Sequence, residues 1–128
     1  MTKNTGWKIA NVHNIPPLKN TWSKDWHSVR HYFDIKAFGV NASTKNAGES
    51  LTPAHDELKS GQQELFIVLE GEAEFVLNKQ KVKAPAGIMI AIEPEVIRSA
   101  TSLKSPTTII IVGAKAGEAY SLQAWEKI

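Results

Sequence analysis

The ligating chemistry of this 128-residue sequence rests on four histidines, His13, His27, His31 and His55, and on thirteen Asp and Glu residues, with no cysteine. Zinc fingers, iron–sulfur clusters and thiol nucleophiles each need a thiolate, so they are excluded, as is a disulfide scaffold; imidazole and carboxylate remain. His27 and His31 stand four apart, the spacing of a helical metal pair, but no H-E-x-x-H surrounds them and the segment reads as the approach to a strand. His13 lies beside Pro16-Pro17 and has no partner in sequence. His55 heads the series His55-Asp56-Glu57, a short way before Glu64. No serine sits in a nucleophile constellation, and there is no glycine-rich phosphate loop.

Elsewhere the charge is diffuse. The net charge is +2, and only two of the fifteen basic residues, Arg30 and Arg98, are arginines. Without a basic run or an aromatic RNA-binding motif, the sequence lacks the electrostatic footprint of a nucleic-acid binder. Lys79, Lys81 and Lys83 alternate in the manner of an edge strand guarded against pairing. Glu70, Glu72 and Glu74 straddle a turn at Gly71 and read as solvent-facing. The longest apolar stretches, around 88–92 and 109–113, fall far short of the ~20 residues that cross a bilayer. The N-terminus has no apolar signal region. The expectation is a cytoplasmic protein with neither nucleic acid nor membrane as partner.

The elements that must position these groups are strands. One domain of this size buries roughly two-thirds of its unfolded surface, so it needs no metal merely to fold. Residues 1–30 read as an irregular arm carrying Trp7, Trp22 and Trp26, with Pro16-Pro17 forbidding helix, and 31–128 as a β-barrel. A strand is predicted over 31–42. The polar stretch 43–63 reads as a long loop, unusual in a compact domain unless it is functional. Residues 65–69 and 73–77 read as a hairpin turning at 70–72, followed by strands near 81–83, 88–92, 96–100 and 107–112. Short strands at intervals of 8 to 12 residues, with turn signals between them, predict an antiparallel sandwich or barrel. Gly71 and Gly87 fall where turns call for positive φ.

Two blocks carry a family resemblance. Glu64-Leu65-Phe66-Ile67-Val68-Leu69-Glu70-Gly71 is similar to the end of the first cupin motif. Gly87 through Ile88-Met89-Ile90-Ala91-Ile92 to Pro94 and Arg98 follows the spacing of the second. The sequence thus resembles the cupin superfamily, and the resemblance implies an all-β fold: a double-stranded β-helix, or jelly-roll, barrel with the irregular arm outside it. In that family two His and a Glu of the first motif and one His of the second bind a divalent metal. Here Glu57, Leu58, Lys59 and Ser60 occupy the place of the His-x-His pair, and Arg98 stands at the second-motif histidine.

Two functions follow from the resemblance. In the first, the barrel binds a small organic molecule without the usual metal. Arg98 pairs with Glu64 or uses its free donors on an anionic group of the ligand, beside His55 and an apolar wall of Phe66, Val68, Phe75, Ile90 and Ile110. In the alternative, His55, Glu57 and Glu64 form a variant site for Fe, Mn, Ni or Zn in a dioxygenase or isomerase. A guanidinium aimed at the same point disfavours a cation, since arginine does not deprotonate. The tryptophans outside the motifs, Trp125 included, suggest a lid or an intersubunit patch, and the resemblance implies a homodimer.

Overall fold

The computed structural model describes residues 2–4, 6–19 and 26–126. Among them, strands β1 (Thr2–Asn4) and β2 (Trp7–Ile9) form a small hairpin. The body is built from β3 (Trp26–Ser28), β4 (Gly39–Lys45), β5 (Ser50–His55), β6 (Gln62–Glu70), β7 (Glu72–Leu77), β8 (Gln80–Pro85), β9 (Met89–Ile92), β10 (Arg98–Ser102) and β11 (Thr107–Lys115). They make a five-stranded sheet in the order β3-β4-β11-β6-β9 and a four-stranded sheet in the order β5-β10-β7-β8. Every pairing in both is antiparallel. The two sheets face each other as a jelly roll. No helix among the described residues is long and apolar enough to cross a membrane.

Alternation fills the space between the sheets. Phe66, Val68, Ile109 and Ile111 from one sheet meet Leu51, Ala73, Phe75 and Ala100 from the other, all buried. Phe66 and Phe75 make an edge-to-face contact with centroids 5.5 Å apart, a geometry that adds about 0.5–1.5 kcal/mol to their burial.

Several local expectations are corrected. The 65–77 segment is not a hairpin: β6 pairs with β11 and β9, while β7 pairs with β10 and β8, so Gly71 (φ 76°) is the corner at which the chain changes sheets. The hairpin of this region is β7–β8. Its turn residues Asn78 (φ 48°) and Lys79 (φ 79°) both lie in the left-handed region, as the tight turn best matched to strand twist requires. The strand predicted over 31–42 starts only at Gly39. Before it lies the short helix α1 (Val29–Phe33), capped by the Ser28 side chain accepting from His31 N and ended by Asp34 at φ 57°. These local caps outweigh the apolar alternation.

The polar stretch 43–63 hides β5, an edge strand paired only to β10. That position tolerates both its polarity and Pro53. Of the expected arm, Trp26–Ser28 is β3, an edge strand of the five-stranded sheet, and Trp26 is part of the core. Trp7 is exposed, and Trp22 lies outside the described residues. β8 is an edge strand with Lys81 and Lys83 exposed. Glu70, read as solvent-facing, is half-buried and accepts from the Thr108 hydroxyl at 2.7 Å.

Candidate functional site

The inward-facing positions of β4, β5, β6 and β11 leave a cavity of about 280 Å³ between the sheets. Its apolar wall is Trp26, Phe66, Ile111 and Trp125, and its polar groups include His55, Glu57, Glu64 and Asn41. The C-terminal segment crosses it, contributing Tyr120, Gln123, Trp125 and Glu126. Gly39 and Gly113, paired across β4 and β11, make room for this arrangement. A Cβ at Gly39 would lie 2.7 Å from the Tyr120 hydroxyl, and one at Gly113 2.9 Å from Gln62 Oε1.

His55 ends β5, Glu57 follows in the connection to β6, and Glu64 faces inward from β6. One ligand atom from each lies within 4.8 Å of the others. His55 Nδ1 is 2.7 Å from the Pro53 carbonyl and Nε2 is 3.1 Å from Glu57 Oε2. Both partners are acceptors, so the arrangement favours the imidazole with a hydrogen on each ring nitrogen. The hydrogen bond to Glu57 raises the His55 pKa against the opposing effect of burial. Burial opposes ionisation of Glu57 too, but hydrogen bonds from His55 and from Ser60 Oγ, 2.5 Å from its Oε1, hold it below the usual carboxylate range. Glu64 goes the other way: burial, reinforced by the neighbouring Glu57 charge, pushes it up to about 7.

Arg98 begins β10 and pairs in register with His55. It is the largest fully buried side chain, at 0% exposure, and it neither lines the cavity nor reaches the rim. Nη1 donates to Glu64 Oε1 at 3.2 Å and Nη2 to the Glu93 carbonyl at 2.7 Å, while Nε has no partner among the described residues. The expected anchor for an anionic ligand is therefore spent inside the wall. Glu64 takes its hydrogen bond from behind and presents its remaining carboxylate surface to the cavity.

The apolar wall differs in detail from the expected one. Phe66 lines the cavity. Val68 and Phe75 are buried in the core instead, and Ile90 packs against that core from a partly buried position. Ile110 lies on the opposite face of β11, where its neighbours Ile109 and Ile111 are the inward residues. A run of three isoleucines carries no parity signal, so only the register with Asn41 and Phe66 identifies Ile111 as the lining residue. Sequence reasoning missed Asn41, Tyr120 and Glu126 altogether. The inward partners of an all-β cavity come from positions far apart in the chain, and residues 116–126 carry no strand periodicity.

Glu126 is held from two sides. Arg30 Nε donates to its Oε2 at 2.7 Å, Arg30 Nη2 to its backbone carbonyl at 3.2 Å, and the Tyr120 hydroxyl to its Oε1. Burial and this bond push the Tyr120 phenol upward. Trp125 meets Trp26 edge to face at 6.4 Å. The histidines outside the cavity do not converge: His27 Nδ1 bonds the Ile15 carbonyl, His13 meets Glu70, and His31 lies on α1.

No protein-family model and no curated protein matches the sequence. Solved structures do match the fold. A cupin protein from Bacteroides fragilis superposes with a TM-score of 0.65 at 17% identity, over 88% of this chain and 95% of its own. A conserved protein of unknown function from Streptococcus pyogenes gives 0.64 at 11% identity, over 87% and 90%. An RmlC-like cupin protein from Desulfovibrio desulfuricans gives 0.56 at 22% identity, over 62% and 73%. With its two facing antiparallel sheets and these neighbours, the chain has the cupin fold, a small jelly-roll barrel.

Proposed function

We propose that this cupin barrel binds a small organic molecule directly on its side chains. The observation that carries this reading is the cavity itself: about 280 Å³, walled by Trp26, Phe66, Ile111 and Trp125, with polar groups gathered at His55, Glu57 and Glu64. Concave, mostly apolar sites with a few convergent polar groups are the usual form of a small-molecule site. At about 30 Å³ per water, the space is that of roughly nine waters, so the ligand has the size of a single ring with a short substituent. The test is a titration of the ¹⁵N-labelled protein with neutral single-ring compounds, indole and 2-phenylethanol, followed by amide shifts. Saturable shifts at Asn41, Glu64, Ile111 and Trp125 are expected. Shifts absent at millimolar concentrations, or confined to the outer faces of the sheets, overturn the reading.

A second reading is favoured by the convergence of His55, Glu57 and Glu64 within 4.8 Å. The donor set fits a divalent transition metal: the Pro53 carbonyl fixes His55 through Nδ1 and directs Nε2 toward the carboxylates, as an outer-shell partner does in metal sites. His55, Glu57 and Glu64 would hold the ion, which would supply Lewis-acid polarisation of a bound oxygen group. The protein's own part is to hold the imidazole in that orientation and to keep Arg98 on the far side of Glu64. Elemental analysis of protein purified without chelator, then supplemented in turn with Fe, Mn, Ni and Zn, decides it. Stoichiometric metal that is lost in His55→Ala supports this reading, and none under any supplement overturns it.

A further inference from the structure

The polar lining of the cavity is unbalanced in a way that bears on the charge of its ligand. Three glutamates, Glu57, Glu64 and Glu126, line it, with one basic side chain, His55. Both ring nitrogens of His55 are engaged, by Pro53 and Glu57. The Tyr120 hydroxyl is spent on Glu126, and the Trp125 indole N–H donates to Gln123. Arg98 and Arg30 lie behind the wall on their own carboxylates. The unpartnered Arg98 Nε lies behind the wall with its side chain, whereas the demand that reaches the cavity through Asn41 is for a donor. Asn41 is 9% exposed, lines the cavity, and its Oδ1 has no hydrogen-bond partner among the described residues. A buried acceptor left unmet costs about 1–3 kcal/mol, and such groups in folded proteins nearly always have a partner.

Taking the cavity as a binding site, we infer that its ligand is an organic ammonium ion. Its N–H groups donate to Asn41 Oδ1 and the Glu64 carboxylate, and its apolar body rests between Trp26, Phe66 and Trp125. Aromatic faces favour a cation beside them, the more so where water is excluded. A carboxylate or phosphate would find no free basic side chain, because His55, Arg98 and Arg30 are each committed to a glutamate. The expectation of an anionic ligand depended on Arg98, and that guanidinium is committed to Glu64 and the Glu93 carbonyl.

The test uses three probes of one shape, 2-phenylethylammonium, 2-phenylethanol and 3-phenylpropanoate, titrated calorimetrically at neutral pH into protein stripped of metal with a chelator. The ammonium is expected to bind roughly tenfold or more tighter than the carboxylate, as the loss of a charged hydrogen bond would imply. Asn41→Leu, checked for folding by its thermal melt, should weaken the ammonium by a similar factor, and Asn41→Asp should strengthen it. Carboxylate binding as tight as ammonium binding overturns the inference and leaves the cavity's binding role standing. An ammonium preference unchanged in Asn41→Leu overturns the assignment of Asn41. If none of the three binds at millimolar concentrations, the inference and the binding role fall together.

Discussion

Arg98 and Glu64 form an ion pair across the two sheets in which the arginine is wholly buried and the glutamate side chain is 11% exposed, with Nη1 3.2 Å from Oε1. The two partners are not equivalent when one is removed. Glu64 can take a proton, and its pKa already stands near 7; Arg98 cannot lose one.

Glu64→Leu removes both the charge and the acceptor that face a buried guanidinium and should cost about 3–5 kcal/mol at neutral pH. Arg98→Met leaves a glutamate that neutralises itself, plus an unmet Glu93 carbonyl, and should cost about 1–3 kcal/mol. The double variant should be more stable than Glu64→Leu alone. Urea unfolding of the three proteins checks the order; equal costs for the two single variants would show that Arg98 is solvated in a way its burial denies.

The same glutamate sets a pH dependence. Its folded pKa of about 7 exceeds the ordinary 4.5, so the folded protein binds the proton more tightly than the unfolded chain between these values. Stability from this group is complete below pH 4.5 and is lost as pH rises through 7. His55, raised from 6.5, acts in the same direction, its contribution complete below pH 6.5 and lost as pH rises above it, whereas Glu57, lowered, stabilises above pH 4.5 and loses that contribution as pH falls below it. At about 1.4 kcal/mol per unit, metal-free protein should lose at most about 3 kcal/mol between pH 5 and pH 8 through Glu64. Glu64→Gln should show a flatter profile over that window, and a wild type that gains stability from pH 5 to pH 8 would contradict the assignment.

How much of this was legible in the sequence depends on distance along the chain. The cupin blocks put Glu64 and Arg98 in facing strands, and the structure joins them; Gly71 and Gly87 both have the positive φ that turns demand. The hairpin at Gly71 misled because apolar runs on either side of a glycine look alike whether the chain turns back beside itself or crosses to the other sheet. Helix α1 escaped because its Ser28 and Asp34 caps act over five residues, below the reach of a periodicity argument. Asn41 and Glu126 were illegible for a different reason. Their roles come from register with Ile111 and from an ion pair with Arg30 ninety-six residues away, and neither leaves a local pattern.

That distant ion pair predicts a local rather than global response. Arg30 and Glu126 are both buried, and with Tyr120 they fix the segment that closes one side of the cavity. Glu126→Gln removes the charge but keeps the shape, leaving Arg30 unpaired. Since the partners lie outside the sheets, the least costly escape is release of residues 118–126, which lets Arg30 reach water. Hydrogen exchange should speed up by roughly tenfold or more in that segment, with the amides of β6 and β11 unchanged. A drop in global stability with no local change would show that the segment is integral to the barrel.

Gly71 and Gly87 separate strain from collision. Both have positive φ, 76° and 95°, so an L-residue at either costs about 1–2 kcal/mol of backbone strain. Around Gly87 a Cβ meets nothing within 4 Å, and strain is the whole cost. At Gly71 the Cβ would lie 2.5 Å from the Pro106 carbonyl oxygen and 2.7 Å from Thr107 Cα, both backbone atoms. Next to it, Thr107 Oγ1 sits 3.2 Å from Glu72 N and fixes the corner, so the backbone has little freedom to yield. Gly87→Ala should cost about 1 kcal/mol, and Gly87→Asn less, because asparagine tolerates the left-handed region. Gly71→Ala should cost upward of about 3 kcal/mol, in the range that marks a steric clash at a special backbone position. The decisive variant is Gly71→Asn. If strain alone were at issue it would recover much of the loss, whereas a collision with Pro106 and Thr107 makes it as damaging as alanine, and chemical denaturation of the four variants distinguishes the two.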